Sequence, residues 1–204
     1  MQDEAGESLI SQSSAHHEPP PAPARRRKGR LVGLLTAAAL VTYATDQSSK
    51  VWAVAALTDA PPRRLVGSVL QLELIRNPGA AFSLGTGSTW LLTVIAAIVL
   101  VVVIRTSRRI GSVGWAWALG LLLGGALGNL TDRMVREPGV GRGHVVDFID
   151  YNGWFIGNVA DIAIVGAAIL IALLALLGVN VDGTRERTTP RHATDASSPA
   201  ENDV

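Results

Sequence analysis

The sequence predicts an all-α membrane protein with four transmembrane helices and a small extracytoplasmic β-rich segment between helices 1 and 2. Two observations lead to this prediction. Hydrophobic residues make up 48% of the 204-residue chain and are concentrated in four long blocks, whereas both ends of the chain are polar. Basic residues occur in short clusters at the edges of these blocks, as is typical of the loops that flank membrane-spanning helices.

The first predicted helix covers residues 31–57 and directly follows a basic run at residues 25–30. Residues 1–24 are rich in Ser, Glu and Pro and have no periodic apolar pattern. We therefore predict that residues 1–30 form a disordered cytoplasmic tail with a basic anchor. The apolar segment is longer than that of a typical signal peptide, and three more such segments follow, which favours a transmembrane helix.

Two charged residues, Asp46 and Lys50, interrupt this first helix. Their spacing of four residues suits a salt bridge along one helix face, and a lysine near a helix end can also extend its ammonium group towards water. Asp46 lies roughly 22 Å along the helix, at about 1.5 Å per residue. We expect it to be a buried carboxylate that faces the other helices.

Residues 58–87 differ in character from the apolar blocks. Residues 65–75 partly alternate apolar and polar side chains, which predicts a short strand at the membrane surface. Asn77-Pro78-Gly79 follows, and these residue types form turns. The residue pattern alone leaves open whether Asn77 belongs to a plain turn or recognises a ligand.

Three further spans are predicted at residues 90–104, 113–130 and about 154–179. Residues 31–179 thus form a four-helix membrane domain, and we expect residues 180–204 to be a second disordered tail. Lys and Arg number eleven in the two tails and the 105–112 link, against six in the two opposite loops. This bias predicts that both termini are cytoplasmic.

Composition excludes several classes of site. The chain has no cysteine, so disulfides, zinc–thiolate sites and cysteine nucleophiles are ruled out. The formal net charge is +1, and basic residues form no broad patch, which argues against binding to nucleic acid.

The polar residues that interrupt or flank the apolar blocks all fall on the extracytoplasmic side of this predicted topology. They are Asp46, Asn77, Asn129, Asp132, Asp147, Asn158 and Asp161. Two pairs have the spacing Asn-x-x-Asp, which places both side chains on one helix face. Ionisable residues at membrane depth are costly unless they are paired or functional, so this group is a candidate site.

Individual aspartates also have simpler interpretations. Asp132 can pair locally with Arg133, and Asp150 precedes a turn-like sequence, so we expect it to be a solvated loop residue. Asp161 is followed by a long uncharged run, which disfavours a simple helix-capping role. Spacing alone would pair Asp132 with Asp161, because both are anchored on helices.

Three chemistries suit two carboxylates in a partly desolvated pocket. They can share a proton and activate water against a peptide carbonyl, as in aspartic proteases. They can hold Mg²⁺ for phosphoryl chemistry on a lipid head group. They can also bind a coupled ion in a transporter. The residue types leave all three open.

Five blocks occur in a specific order, and together they identify a resemblance. They read Asp46-Gln47-x-x-Lys50, Asn77-x-Gly79-Ala80-Ala81-Phe82-Ser83, Gly125-Ala126-Leu127-Gly128-Asn129-Leu130-x-Asp132-Arg133, Val145-Val146-Asp147-Phe148 and Asn158-Val159-Ala160-Asp161. In this order they resemble the signature blocks of the lipoprotein signal peptidase (signal peptidase II) family. The resemblance covers roughly residues 31–177.

This resemblance implies an intramembrane aspartyl endopeptidase of the bacterial plasma membrane that needs no metal or cofactor. Its expected substrates are diacylglyceryl-modified prolipoproteins, cut just before the modified cysteine, and its other partners are membrane lipids; we expect a monomer. Matched block by block, Asp147 and Asp161 would be the catalytic pair, which replaces the pairing that spacing favours. Residues that would support the pair or contact substrate are Asp46, Asn77, Asn129, Asp132, Arg133 and Asn158.

The sequence departs from the family pattern in two places. The segment between Arg133 and Val145 is longer than expected and contains Pro138 and three glycines. The link from Asp147 to Asp161 is short. We therefore expect Asp147 to be held by a different loop path.

Overall fold

The computed structural model describes residues 22–79 and 89–185. In chain order, the elements are α1 (Ala22–Leu57), β1 (Arg63–Val66), β2 (Leu70–Asn77), α2 (Thr89–Ser107), α3 (Val113–Val135), β3 (Val145–Asp150), β4 (Ile156–Gly157) and α4 (Val159–Leu176). Residues 1–21 and 186–204 of the predicted tails, and residues 80–88 after the Asn77 turn, lie outside the described residues.

Helix α1 starts earlier than predicted, at Ala22 rather than at residue 31. The basic run at residues 25–30 therefore forms helical turns instead of part of a disordered tail. Arg, Lys and Ala all favour helices, and Pro23 lies in the first turn, where the missing backbone N–H is tolerated. The result is one continuous helix of 36 residues.

Three helices of the described chain are long and apolar enough to cross a membrane. They are α2, α3 and α4, whose most apolar stretches have mean hydropathies of 2.3, 1.4 and 2.7. The second, third and fourth predicted spans are therefore confirmed as membrane-type helices. Helix α1 carries Asp46 and Lys50 and does not reach the same hydropathy.

Helix α3 lies between α1 and α4 and packs closely on α1 through glycines. Gly120, Gly124 and Gly128 are four residues apart and face α1. A methyl group on Gly120 would lie 2.7 Å from the backbone oxygen of Leu35, and one on Gly124 would lie 2.5 Å from that of Ala39. Only glycine permits such close approach of the two backbones, which is a common way for helices to pack within membranes.

A four-stranded antiparallel sheet lies against the C-terminal end of α1, with the strand order β1-β2-β3-β4. Strands β1 and β2 confirm the predicted β-rich segment, but residues 65–75 contribute to two strands and a turn rather than to one strand. The prediction that Asp147 lies in a loop is wrong, because Val145–Asp150 forms β3. Val146 and Phe148 of this strand pack on Ala53 and Leu57 of α1, so tertiary contacts stabilise it.

The opposite end of the bundle is closed by the chain that follows α4. Residues 180–185, predicted as the start of a disordered tail, form an ordered turn instead. Gly111 in the α2–α3 link donates its N–H to the carbonyl of Val181 at 2.8 Å, and its own carbonyl accepts from Arg27 Nη2 at 3.2 Å. A methyl group on Gly111 would overlap the backbone oxygen of Asp182, so the turn can dock only on glycine.

We predict that Gly124→Ala lowers the free energy of unfolding by about 1–3 kcal/mol, because the added methyl must push α1 and α3 apart. Gly166→Ala on α4 is the matched control, since a methyl group there meets nothing within 4 Å. The control should be neutral or stabilising by roughly 0.5–1 kcal/mol. Unfolding in detergent micelles measures both, and equal effects would contradict close α1–α3 packing.

Candidate active site

A buried ionic cluster lies where α1 and α3 meet. Lys50 Nζ lies 2.9 Å from Asp46 Oδ2 and 3.0 Å from Asp132 Oδ2, and all three side chains are fully buried. The ammonium also donates to Asn129 Oδ1 at 2.9 Å. Arg136 Nε lies 2.7 Å from the other oxygen of Asp132. The predicted Asp46–Lys50 pair is confirmed, as part of a larger cluster in which two cations neutralise two carboxylates.

The two neutralised carboxylates also hold the backbone of other elements. Asp46 Oδ1 accepts the N–H of Ala160, at the start of α4, at 3.0 Å. Asp132 Oδ2 accepts the N–H of Val146, in β3, at 3.1 Å. Each donor belongs to the residue just before one of the two remaining aspartates of the site. The ionic cluster therefore positions the backbone that carries both of them.

Asp161 stands in the first turn of α4 and forms a capping box with Asn158. Its backbone N–H donates to Asn158 Oδ1 at 3.1 Å, and its Oδ2 accepts the N–H of Asn158 at 3.0 Å. The expectation that Asp161 does not cap the helix is wrong, because its position three residues after Asn158 suits this reciprocal contact. Its other oxygen, Oδ1, accepts from Asn129 Nδ2 at 2.9 Å.

Asp147 lies in β3 and is only 2% exposed. Its Oδ2 accepts from Asn77 Nδ2 at 2.8 Å, and its Oδ1 accepts from Asn158 Nδ2 at 2.6 Å. Asn77 pairs with Val145 across the sheet, two residues from Asp147, which brings the two side chains together diagonally. The pKa of Asp147 is raised to about 6. Burial is the largest cause and the nearby charge of Asp161 adds to the rise, whereas the hydrogen bonds from the two amides and the charge of Lys50 oppose it.

Amide groups connect the two aspartates. Asn158 Nδ2 donates to Asp147 and also lies 3.2 Å from Asn129 Oδ1, while Asn129 Nδ2 donates to Asp161. Neither Asp147 nor Asp161 has an ion pair within the described part of the chain. The described network is therefore built from neutral donors around two carboxylates, and no ion pair among the described residues fixes the charge of either one.

Arg133 lies close enough to interact electrostatically with Asp132, Asp147 and Asp161. It is 8% exposed, and its Nη1 has no hydrogen-bond partner among the described residues. The local charge partner of Asp132 is Arg136 rather than the predicted Arg133, because residues four apart share a helix face whereas adjacent residues do not. A buried guanidinium nitrogen without a partner is costly, so it is suited to bind a ligand oxygen.

Asp150 differs from its predicted role as a solvated loop residue. It is buried at the end of β3, opposite Gln71 of β2, and its Oδ1 accepts the N–H of Gly153 at 2.7 Å. The predicted turn does follow it, but the carboxylate closes that turn from within the sheet. Asp150 therefore has a structural role.

The structure brings together all the residues predicted for the site. These are Asp46, Asn77, Asn129, Asp132, Arg133, Asp147, Asn158 and Asp161. The predicted set of site residues did not include Lys50, which was predicted only as a salt-bridge partner of Asp46, or Arg136. A lysine four residues after an aspartate inside an apolar helix signals the first of them. Arg136 shows the same spacing, since it follows Asp132 by four residues at the end of α3.

The chain is similar to other proteins over most of its length. Residues 38–177 match the family model for signal peptidase (SPase) II. A lipoprotein signal peptidase from Rhodococcus jostii (strain RHA1) is 52% identical over 153 residues, which cover 75% of this chain and 77% of that protein. One from Streptomyces griseus is 50% identical over 157 residues, covering 77% and 80% respectively. A solved bacterial membrane enzyme is 28% identical, with a TM-score of 0.62, and the match covers 72% of this chain and 95% of that one.

The raised pKa of Asp147 predicts how stability changes with pH. Because folding favours the protonated form, this contribution to stability is fully present below the unfolded value of 3.8 and is lost as pH rises through about 6. Asp147→Asn cannot ionise. We expect its free energy of unfolding, relative to wild type, to increase by up to ~3 kcal/mol between about pH 4 and pH 7.5.

Unfolding in detergent at several pH values measures this difference. Gly166→Ala, which removes no ionisable group, should differ from wild type by the same amount at every pH. A difference between Asp147→Asn and wild type that stays constant with pH would contradict a raised pKa at this position.

Proposed function

Because the chain belongs to the signal peptidase II family, we propose that Asp147 and Asp161 are its catalytic pair. The protein is a peptidase of the aspartic type that removes signal peptides from prolipoproteins. The proposed cleavage site is the peptide bond just before the diacylglyceryl-modified cysteine.

The observation that carries this assignment is the division of four aspartates, Asp46, Asp132, Asp147 and Asp161, into two kinds. Asp46 and Asp132 are each ion-paired with Lys50. Within the described residues, Asp147 and Asp161 accept hydrogen bonds only from asparagine amides and backbone N–H groups. A carboxylate locked in an ion pair is a poor proton donor or acceptor, whereas a pair of unneutralised carboxylates can share a proton.

The proposed reaction follows from that shared proton. The ionised carboxylate takes a proton from water while the water oxygen attacks the scissile carbonyl carbon. The protonated carboxyl donates a hydrogen bond to the carbonyl oxygen and stabilises its developing charge. The C–N bond then breaks, and the departing amine takes a proton from the pair. The resting proton belongs to Asp147 and Asp161 together.

Two residues are placed to hold the substrate. Arg133 Nη1 is buried and has no hydrogen-bond partner among the described residues, so a peptide carbonyl oxygen would satisfy it. Asn77 already donates to Asp147 and lies at the end of β2. We propose that β2 and the Asn77 turn close over the extended peptide while its acyl chains lie against the exposed apolar helices.

We also propose that α1 is a fourth transmembrane helix, with both termini in the cytoplasm and the site on the extracytoplasmic side. Support comes from Arg27, which donates to Gly111 and so places the basic start of α1 beside the α2–α3 link. The turn after α4 docks on the same link. The basic segments thus gather at one end of the bundle, as expected of a cytoplasmic side. One chain supplies the whole proposed site, consistent with a monomer.

Cleavage of a diacylglyceryl-modified prolipoprotein by the purified protein in EDTA tests the catalytic pair. We expect Asp147→Asn and Asp161→Asn each to lower the rate by about a thousandfold or more, because each removes a group that exchanges the reacting proton. Asp132→Asn should be impaired through weaker positioning of β3. Asp59→Asn, an exposed carboxylate on the turn after α1, is the control and should cleave at the wild-type rate.

Two results would contradict the assignment. An active Asp147→Asn together with an inactive Asp132→Asn would move the pair to Asp132 and Asp161. Activity that EDTA abolishes and Mg²⁺ restores would instead indicate metal-dependent chemistry.

Substrate binding by Arg133 predicts a different kinetic signature. We expect Arg133→Gln to raise KM for the prolipoprotein about tenfold, because one buried charge-assisted hydrogen bond is lost. The exposed Arg142→Gln carries the same charge change and should leave KM unaltered. If Arg133→Gln and Asn77→Ala both leave binding and cleavage unchanged, neither residue holds the substrate.

A further inference from the structure

A polar cavity of about 500 Å³ lies at the end of the bundle remote from the candidate active site. It is lined by Arg105, Thr106, Arg109, Asn180, Val181 and Asp182. Helix α2 starts beside the Asn77 turn, where Thr89 Oγ1 donates to the carbonyl of Pro78 at 2.8 Å, and Arg105 lies in its last turn. At about 1.5 Å per residue, the cavity is roughly 24 Å from that end of α2.

The walls of this cavity are ordered. The turn after α4 is closed by a hydrogen bond from Asn180 N–H to the carbonyl of Thr184 at 2.9 Å. It is docked on the α2–α3 link through Gly111 and through Trp115 Nε1, which donates to the carbonyl of Val179 at 2.8 Å. A methyl group on Gly183 would lie 2.6 Å from the backbone oxygen of Gly111, so this contact needs glycine on both sides. The turn thus holds a fixed position opposite the end of α2.

Two cations in this cavity have no partners. Within residues 22–79 and 89–185, neither Arg105 nor Arg109 has an ion pair or a side-chain hydrogen bond. Arg105 lies in the last turn of α2 and Arg109 in the turn that follows the helix, and both side chains line the cavity. Guanidinium groups match the geometry of phosphate oxygens, and two together suit one phosphate group.

The single acidic lining residue does not neutralise this pair. Asp182 Oδ1 accepts from the hydroxyl and the backbone N–H of Thr184 at 2.7 and 2.9 Å, and these hydrogen bonds lower the pKa of Asp182. The carboxylate of Asp182 is thus hydrogen-bonded within its own turn rather than to either arginine. Arg27 reaches the carbonyl of Gly111 beside the cavity and adds a further positive charge. The lining is therefore positive overall.

The neighbouring surface indicates the source of the phosphate. Over the two turns before Arg105, helix α2 exposes four large apolar side chains: Ile98, Val101, Val102 and Ile104. In a membrane-spanning helix this surface meets acyl chains, and a headgroup attached to those chains lies at the level of the cavity. We propose that Arg105 and Arg109 bind the phosphate of an anionic membrane phospholipid, whose acyl chains lie along α2.

Lipid retention by delipidated protein in a phosphate-free detergent tests this proposal. Native mass spectrometry with added phosphatidylglycerol or phosphatidylcholine reports how much of each lipid stays bound. We expect wild type to retain phosphatidylglycerol preferentially, and Arg105→Gln/Arg109→Gln to lose about tenfold in apparent affinity or more, because each cation near an anionic headgroup contributes measurably. Thermal unfolding without lipid confirms that the variants are folded.

The matched control is Arg26→Gln/Lys28→Gln, which removes the same charge from exposed positions on α1 at the same end of the bundle. It should retain phosphatidylglycerol within about twofold of wild type, since diffuse attraction alone is weak at these positions. Equal losses in both double variants, or no loss in Arg105→Gln/Arg109→Gln, would overturn the site. If inorganic phosphate at millimolar concentration displaces the lipid and stabilises the protein to the same degree, the ligand is a soluble phosphate and the lipid assignment fails.

Discussion

The buried ammonium of Lys50 is the contact on which the site depends. It lies between Asp46 and Asp132 and has no exposure to solvent. The loss of hydration of this charge is compensated only while both carboxylates and the Asn129 side-chain oxygen surround it. Removing one member of such a buried cluster leaves a charge uncompensated and typically costs about 3–5 kcal/mol. The reverse also holds: Lys50 makes it possible for two carboxylates to remain charged in a membrane-type bundle. Their remaining hydrogen bonds then fix the backbone just before Asp147 and just before Asp161.

Charged partners and neutral partners have separate roles around the four aspartates. Cations hold Asp46 and Asp132 in one protonation state, which suits residues that position others. Amides hold Asp147 and Asp161 in place without fixing their charge, which suits residues that exchange protons. A cation in place of Asn158 would keep Asp147 ionised at all working pH values and would remove the basis for a shared proton. The identity of the supporting residues therefore matters as much as the presence of the carboxylates.

Much of this arrangement could be predicted from the sequence, and the failures have a common physical cause. The three apolar helices follow from composition, because an apolar block of sufficient length has few alternatives in a membrane. Strand β3 and the turn at residues 180–185 were missed because short segments of this kind are stable only through contacts with distant residues, such as Val146 with Ala53. Spacing alone favoured Asp132 over Asp147 as the partner of Asp161, because it indicated that Asp132 lies on a helix. It could not show that Asp132 forms an ion pair with Lys50, which is 82 positions away in the chain. The five ordered blocks point to Asp147 instead, and the assignment of Asp147 and Asp161 as the catalytic pair stays a prediction.

The glycines of α3 have a consequence for how the bundle finds its alignment. Gly120, Gly124 and Gly128 repeat every four residues, so a slide of α3 along α1 by one repeat, about 6 Å, would place glycine against backbone almost as well as before. Shape alone therefore leaves several alignments of the two helices close in energy. At Gly128, however, the space that a methyl group would fill holds a carboxylate oxygen of Asp46. The same slide would separate Lys50 from Asp132 and leave both charges without a partner in an apolar environment. The ion pairs thus select one of the helix alignments that packing permits. The depth of the site in the bundle can therefore change only in steps of one glycine repeat along α1.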